Sequence, residues 1–541
     1  MKRNRLILFA ALLPALAMQA QTSYEAAAVL DADLNGTARY VGMGGAMSAL
    51  GADMSTMSTN PAGTALYRSW DAAFSFGGNG VVQTTISNSD RGRSFDSYAS
   101  LDNMGVVVAN KKSNNGVLRF VNFGFNYHKV KRFDGKMGMA SNLDGQFSQT
   151  EQMAWQAWEN QDVRPTDFNP EDKEGFFKNN FYKEPWAGWL TLMGAQSFLI
   201  DDTALGGQIG DVVYPNGNFY PAYSNRYSEV LSGGINAYDF NLSVNLADVA
   251  YIGATFTKYD VDRKLESTYS EEFYGGSYTM QNFYRTEGSG YDLKLGVILR
   301  PFSESSFRVG VSATTPTVYN LRDYNSAVIN STITFKNNDT GEEWTESFLV
   351  DTYDKNAWGG DCYTDYMMIA PSKVNVSLGS TVGTSLALGA EYEYMNYAAA
   401  KLYYDDSMEN KDMNAHTAEN LTGQHTLRLG AEKTFGAFYT RLGYNFQTGG
   451  YKKDAWKMIP INSVQTNTAY ANVKSTQNFT CGIGFRGDTF YADAALLYST
   501  RKSDFYPFVD ILREGDEGFE LQPTSLNRNL IKGMVTLGMR F

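Results

Sequence analysis

The chain has 541 residues, 43% hydrophobic and 14% aromatic, with a formal net charge of −12. That acidic balance argues against nucleic acid as a partner. Beyond its N-terminus no stretch approaches the ~18 apolar residues of a membrane helix and the mean hydropathy is −0.35. A helical membrane protein is thereby excluded. A barrel is not, because each barrel strand shows only half its residues to lipid.

The chain begins Met1-Lys2-Arg3-Asn4-Arg5, runs apolar from Leu6 to Met18 and reaches Ala20. This pattern predicts a secretory signal peptide over 1–20, cleaved after Ala20. The run falls short of the ~20 residues that a spanning helix needs. Residues 21–67 are rich in small side chains, with Met43, Met47, Leu50, Met54 and Met57 at near-helical spacing. Asn60-Pro61-Ala62-Gly63 then encodes a turn.

From there onward the chain alternates apolar and polar residues, the signature of half-buried strands. In 291–300, Tyr291, Leu293, Leu295, Val297 and Leu299 alternate with Asp292, Lys294, Gly296, Ile298 and Arg300. Strands are predicted near 68–87, 97–112, 117–132, 226–246, 249–270, 276–300, 305–324, 366–381, 384–402, 422–434, 436–450, 475–487, 489–503 and 526–541. Short turns such as Ala247-Asp248, Val382-Gly383 and Gly487-Asp488 alternate with long polar insertions. With strand one running outward, every long insertion falls on the outer side, as in outer-membrane barrels. The last strand ends on Phe541 and resembles the closing strand of Gram-negative outer-membrane barrels. The reading is all-β: an antiparallel, membrane-spanning barrel of fourteen strands over 68–541, with residues 21–67 as a small hatch in the lumen. One barrel accounts for the length without linkers, in a chain with only 13 prolines.

The insertion at about 133–225 is too long for a bare loop. Trp155, Trp158, Phe176, Phe177, Trp186 and Trp189 make it either an outer platform that captures greasy ligands or a local core. The lumen face carries both signs of charge, including Glu391, Arg428, Glu432, Arg441, Asp493 and Lys532. Charges there must be paired or wet. An ion-pair lattice holding a plug and a charged pore are the two readings.

Gly44-Gly45-Ala46, Asp53 and Asn60-Pro61-Ala62-Gly63, in that order before the first strand, resemble the FadL/TodX family of transporters for long-chain fatty acids and hydrophobic compounds. The resemblance implies a hatch containing Asn60, Pro61, Ala62 and Gly63 that gates the lumen. It also implies ligand capture at outer loops and passage sideways through the wall at a kinked third strand. Gly124 in that strand is a candidate for the kink, although a barrel glycine commonly just relieves crowding. The implied activity is passive, energy-independent transport.

Other chemistries fail on spacing. Asp31-Ala32-Asp33-Leu34-Asn35-Gly36 starts like a calcium loop, but position twelve is Gly42 rather than a bidentate Glu. Gly42-Met43-Gly44 has no βαβ context. His128, His416 and His425 show neither metal-ligand spacing nor a Ser/His/carboxylate arrangement. Cys362 and Cys481 are expected to be free thiols, Cys481 on the lipid face. No enzyme activity, cofactor or metal is therefore expected. The expected partners are a hydrophobic small molecule and outer-membrane lipid, with the chain a monomer. The rival readings are an adhesin or surface anchor built on the 133–225 insertion, a water-filled porin, and passive uptake of haem-like ligands.

Overall fold

The structure is a computed structural model that describes residues 21–159, 188–200, 220–302, 304–336, 340–353, 362–404, 408–511 and 520–541. The signal-peptide reading of 1–20 and the candidates Phe176, Phe177 and Trp186 lie outside these residues, as does the side chain of Trp158. Fourteen antiparallel strands form a closed barrel. The wall opens with β1 (Asp71–Ile86), β2 (Arg91–Lys111) and β3 (Leu118–Arg132, continued by Gly135–Phe147). It goes on through β4 (Ala222–Leu246), β5 (Ala250–Phe273) and β6 (Gly276–Leu299). Three more strands are interrupted, as β3 is: β7 (Arg308–Thr314 and Thr317–Lys336), β8 (Cys362–Ala370 and Lys373–Val382) and β9 (Leu386–Asn396 and Lys401–Tyr403). The breaks in β7 and β8 coincide with Pro316 and Pro371, which lack the N–H a ladder needs. The wall ends with β10 (Gly423–Phe435), β11 (Phe438–Thr448), β12 (Tyr470–Arg486), β13 (Phe490–Tyr506) and β14 (Thr524–Arg540). β14 closes on β1 in one ladder from Asp71↔Arg540 to Ile86↔Ser525. A short strand, Glu343–Asp351, pairs with the outer part of β7 and was not foreseen.

The alternation changes phase along the strands, and this fixes where the membrane ends. In the first part of β5, Ile252 and Phe256 face out, exposed, while Gly253 and Thr255 face in. Beyond Phe256 the outward side chains are Lys258, Asp260, Asp262, Lys264 and Glu266, and the inward ones include Tyr259, Val261, Leu265 and Tyr269. Lipid outside demands apolar side chains, and water outside demands polar ones. The long strands therefore cross the membrane and continue well above it, where the lumen is filled by an aromatic and aliphatic core.

That upper core corrects the boundaries of the large insertion. Residues 135–147 are not loop but the continuation of β3, and β4 begins at Ala222. Between them α3 (Gln149–Glu159) and α4 (Trp189–Gln196) pack on the barrel mouth. Trp189 is 1% exposed among Met153, Met193, Tyr227 and Phe508. It packs into the local core, one of the two alternatives the sequence left open. Trp155 is half-buried. Cys362 is buried and Cys481 exposed.

Candidate functional site: a clamped plug, a cavity and an unzipped seam

Residues 21–67 lie inside the barrel. They comprise α1 (Ser23–Leu30), α2 (Ala38–Gly42) and two 3-10 turns, Met54–Ser58 and Pro61–Leu66. Asn60 caps the second turn: its Oδ1 accepts from the Ala62 N–H at 3.1 Å, and Pro61 follows at a first-turn position where its missing N–H costs nothing. The whole motif is buried, with Asn60 and Ala62 both 0% exposed. Asn241 on β4 donates to the Pro61 carbonyl at 3.2 Å, and Asn122 on β3 donates to the Thr64 carbonyl at 2.8 Å. The structure thus brings Asn60, Pro61, Ala62 and Gly63 together in one turn docked on the wall.

The wall meets this plug with glycines. A Cβ on Gly296 of β6 would lie 2.1 Å from Asn60 Oδ1, and one on Gly253 of β5 2.4 Å from the Pro61 carbonyl carbon. Gly389 on β9 faces the Ala46 carbonyl (2.2 Å), Gly430 on β10 the Met43 carbonyl (2.4 Å) and Gly443 on β11 the Gly44 nitrogen (2.1 Å). On β5, β9, β10 and β11 only glycine leaves room for plug backbone against wall backbone, and on β6 it leaves room for the Asn60 side chain. Sequence reasoning left this belt unremarked. Its signal was visible, since these glycines fall at luminal positions of the period-two pattern.

A lattice of buried charge reinforces the belt. Arg39 of the plug makes a bidentate pair with Glu432 (3.0 and 2.9 Å). Arg441 bridges Glu432 (2.6 Å) and Asp493 (2.7 Å), and Arg486 holds the other Asp493 oxygen at 2.8 Å. Arg428 pairs with Glu391 and Glu393. Arg308 donates to the Leu50 carbonyl at 2.8 Å. The structure realises the ion-pair lattice of the sequence reading.

Above the belt the N-terminal arm, 21–35, is held differently. Asp31 and Asp33 engage Lys131 of β3 (2.7 and 2.8 Å), and Asp31 also engages Arg501 of β13 (2.7 Å). Burial alone would raise the Asp33 carboxyl, but Lys131 and Arg501 outweigh it and hold it well below the usual carboxylate range. Glu25 in α1 pairs with the buried Lys457 at 3.0 Å. Among the described residues three cavities flank the arm. The largest, ≈ 230 Å³, is lined by Tyr24, Tyr397, Tyr451, Tyr470, Phe133 and Arg263 among others. Arg263 Nη1 is buried there without a hydrogen bond. A more polar cavity of ≈ 110 Å³ lies between arm and belt. The third, ≈ 40 Å³, is bounded by Tyr98, Asp102, Lys129, Arg132 and Lys532. Lys131 and Arg501 line both the first and the third.

The third cavity faces a break in the wall. β2 pairs with β3 only from Lys111↔Phe120 to Asn103↔His128. Yet β2 goes on pairing with β1 as far as Arg91↔Ile86, and β3 with β4 as far as Phe147↔Ala222. From Asp102 to Arg91 the β3-facing edge of β2 has no ladder partner among the described residues. The separation starts at the level of Ser75, between the lipid-exposed Phe74 and Phe76. Two features create it. Asp102 is bulged out of the β1–β2 register and turns inward, where Lys532 holds it at 2.6 Å. β3 then bends at Phe133-Asp134, opposite a left-handed Gly233 (φ +96) in β4. Beyond the bend its carbonyls accept from β1 and β2 side chains instead of backbone: Thr85 reaches Gly138 O at 2.7 Å, and Ser94 reaches Lys136 O. Across the seam itself the Arg132 guanidinium sits 4.3 Å from the Tyr98 ring centroid.

Gly124 does not mark this break. Its ladder with Val107 and Asn241 is continuous, and a Cβ there would meet the Met57 methyl at 2.3 Å. It is another seat for the plug.

The chain matches no family model and no curated protein. Among solved structures it is similar to a Pseudomonas aeruginosa FadL homologue, at 10% identity over 94% of this chain and 99% of that one, with a TM-score of 0.48. The Ralstonia pickettii toluene transporter TbuX (10% identity, 94% and 99% covered, TM-score 0.42) and the P. putida toluene transporter TodX (8%, 94% and 99%, 0.42) are also similar.

Proposed function

We propose that this chain is an outer-membrane channel for passive uptake of small hydrophobic or amphipathic molecules, released sideways through the β2–β3 seam. The observation that carries the reading is the loss of the β2–β3 ladder inside the apolar band, beside a chain of luminal cavities. A ligand that reaches the tyrosine-lined cavity is separated from the seam by Lys131, Arg501 and the arm's two aspartates. Below, the glycine belt blocks the axis. Residues 21–67 act as the hatch, the arm being its moving part and Asn60-Pro61-Ala62-Gly63 its anchor. The same transport class is implied by the resemblance of that motif. Movement follows the ligand's gradient in this reading, and one barrel suffices as the working unit.

The test is a Tyr98→Cys/Arg132→Cys pair in a Cys481→Ser background, bridged by a short bifunctional thiol reagent. Bridging should stop uptake of a fluorescent fatty acid or an alkylbenzene, with either single-cysteine variant unaffected. Undiminished uptake through a bridged seam would sink the lateral route.

A further inference from the structure

The arm begins with a residue that poses two electrostatic problems at once. Gln21 is buried, and its Nε2 makes no hydrogen bond. The residues after it are fixed by long-range contacts. Thr22 is 0% exposed and caps α1, its Oγ1 accepting from the Tyr24 N–H at 3.2 Å. Ser23 Oγ lies 3.1 Å from His416 Nδ1, and the Tyr24 hydroxyl donates to Asn472 at 2.6 Å. If the chain is cut after Ala20, as the reading of residues 1–20 requires, a new α-ammonium appears on Gln21. That cation would sit next to the positive end of α1, near Glu25, whose carboxylate already pairs with the buried Lys457 at 3.0 Å. Burying an unpaired charge is costly.

We propose that the exported chain starts at Gln21 and that Gln21 is cyclised to pyroglutamate. The α-amine nitrogen attacks the side-chain carbonyl carbon Cδ, the N–Cδ bond forms, the Cδ–Nε2 bond breaks, and the nitrogen leaves as ammonia with the displaced proton. No oxidant or co-reactant is needed. The reaction removes the ammonium and the unpartnered Nε2 in one step and leaves a neutral five-membered lactam. Among side chains only that of glutamine carries an amide at the reach this ring requires. The proposal rests on the cleavage reading alone and is independent of the transport reading.

The experiment uses the full protein extracted from outer membranes. Amines are labelled on the intact protein immediately after solubilisation, and the tryptic peptide ending at Arg39 is read by mass spectrometry. The expected product starts at residue 21, is lighter than the glutamine form by one ammonia, and carries no label. A labelled Gln21 amine as the main species would overturn cyclisation. A chain starting at another residue would overturn the cleavage reading. A Gln21→Ala variant keeps a free amine and should have its arm cut faster by added protease. Equal protection in that variant would overturn the electrostatic reason for the ring.

Discussion

The two halves of the luminal segment are held by different physics. Residues 37–66 sit largely backbone against backbone on wall glycines and carry a buried bidentate ion pair, and of them Tyr40, Ser58 and Thr59 border the polar cavity. Residues 21–35 are flanked by all three cavities and held mainly by side chains: two aspartates on a lysine and an arginine, and a glutamate on a lysine. Backbone seated without clearance has nowhere to go. Side-chain ion pairs can exchange partners with a ligand or with water. The lower half therefore reads as scaffold and the upper half as the part that rearranges.

The largest expected effect lies in the belt. Gly443→Val places a methyl-bearing carbon where backbone sits 2.1 Å away. Overpacking costs about 1–3 kcal/mol even where side chains can yield, and here backbone opposes backbone. We expect most of this variant to miss the compact, heat-modifiable form on electrophoresis. Gly78→Val, whose Cβ meets nothing within 4 Å, should fold normally. If both variants fold alike, the belt is not a clamp.

Next is Arg441→Met, which takes one of two guanidinium partners from Glu432 and from Asp493, leaving Arg39 and Arg486 in place. Breaking a buried pair from one side costs roughly 3–5 kcal/mol when the charge is left alone, so with the second partners kept the denaturation midpoint in detergent should fall by less than that full penalty. An unchanged midpoint would mean that the second partners or water satisfy the lattice.

The arm's hold should weaken with acid. Burial pulls His416 down to about 4 from its ordinary 6.5. A histidine that stays neutral when folded binds its proton more readily when unfolded, so stability rises with pH across this window. The contribution is present above pH 6.5 and is lost as pH falls towards 4, by up to ~3 kcal/mol. Limited proteolysis of the arm between pH 7 and pH 4 should show it, and His416→Gln should flatten the profile.

The smallest effect on stability, and the sharpest on function, belongs to Asp31→Asn/Asp33→Asn. These carboxylates are 17% and 25% exposed, and partly solvated pairs are worth about 1 kcal/mol or less. The barrel should melt almost unchanged while arm openings become more frequent in single-channel recordings. Loss of barrel stability without any change in conductance would reverse the roles assigned to arm and belt.

Much of this was legible in the residues. Within the apolar band, lipid on one side and plug on the other impose a strict period of two, so all fourteen wall strands register in the sequence. Asn60-Pro61-Ala62-Gly63 was legible because a turn needs those residue types. The continuation of β3 over 135–147 was not. Above the membrane the apolar residues, Met137 and Met139, point inward and the outward ones are polar or small, so the lipid-side signal vanishes. The seam was illegible for another reason. A lost ladder is a relation between two strands, and neither Asp102 nor Phe133 announces it alone. Trp189 left both readings open because a tryptophan in a long insertion looks the same whether it awaits a ligand or fills a core.

The glycine seats also dictate an order of assembly. Plug backbone lies against wall backbone on β5, β9, β10 and β11 at once, the Asn60 side chain lies against β6, and Thr536 of β14 accepts from the Ala38 N–H at 2.7 Å. A segment so enclosed cannot be threaded into a finished cylinder. It must already be in place when β14 zips onto β1, so the first part of the chain to emerge serves as the mandrel on which the last strand is closed.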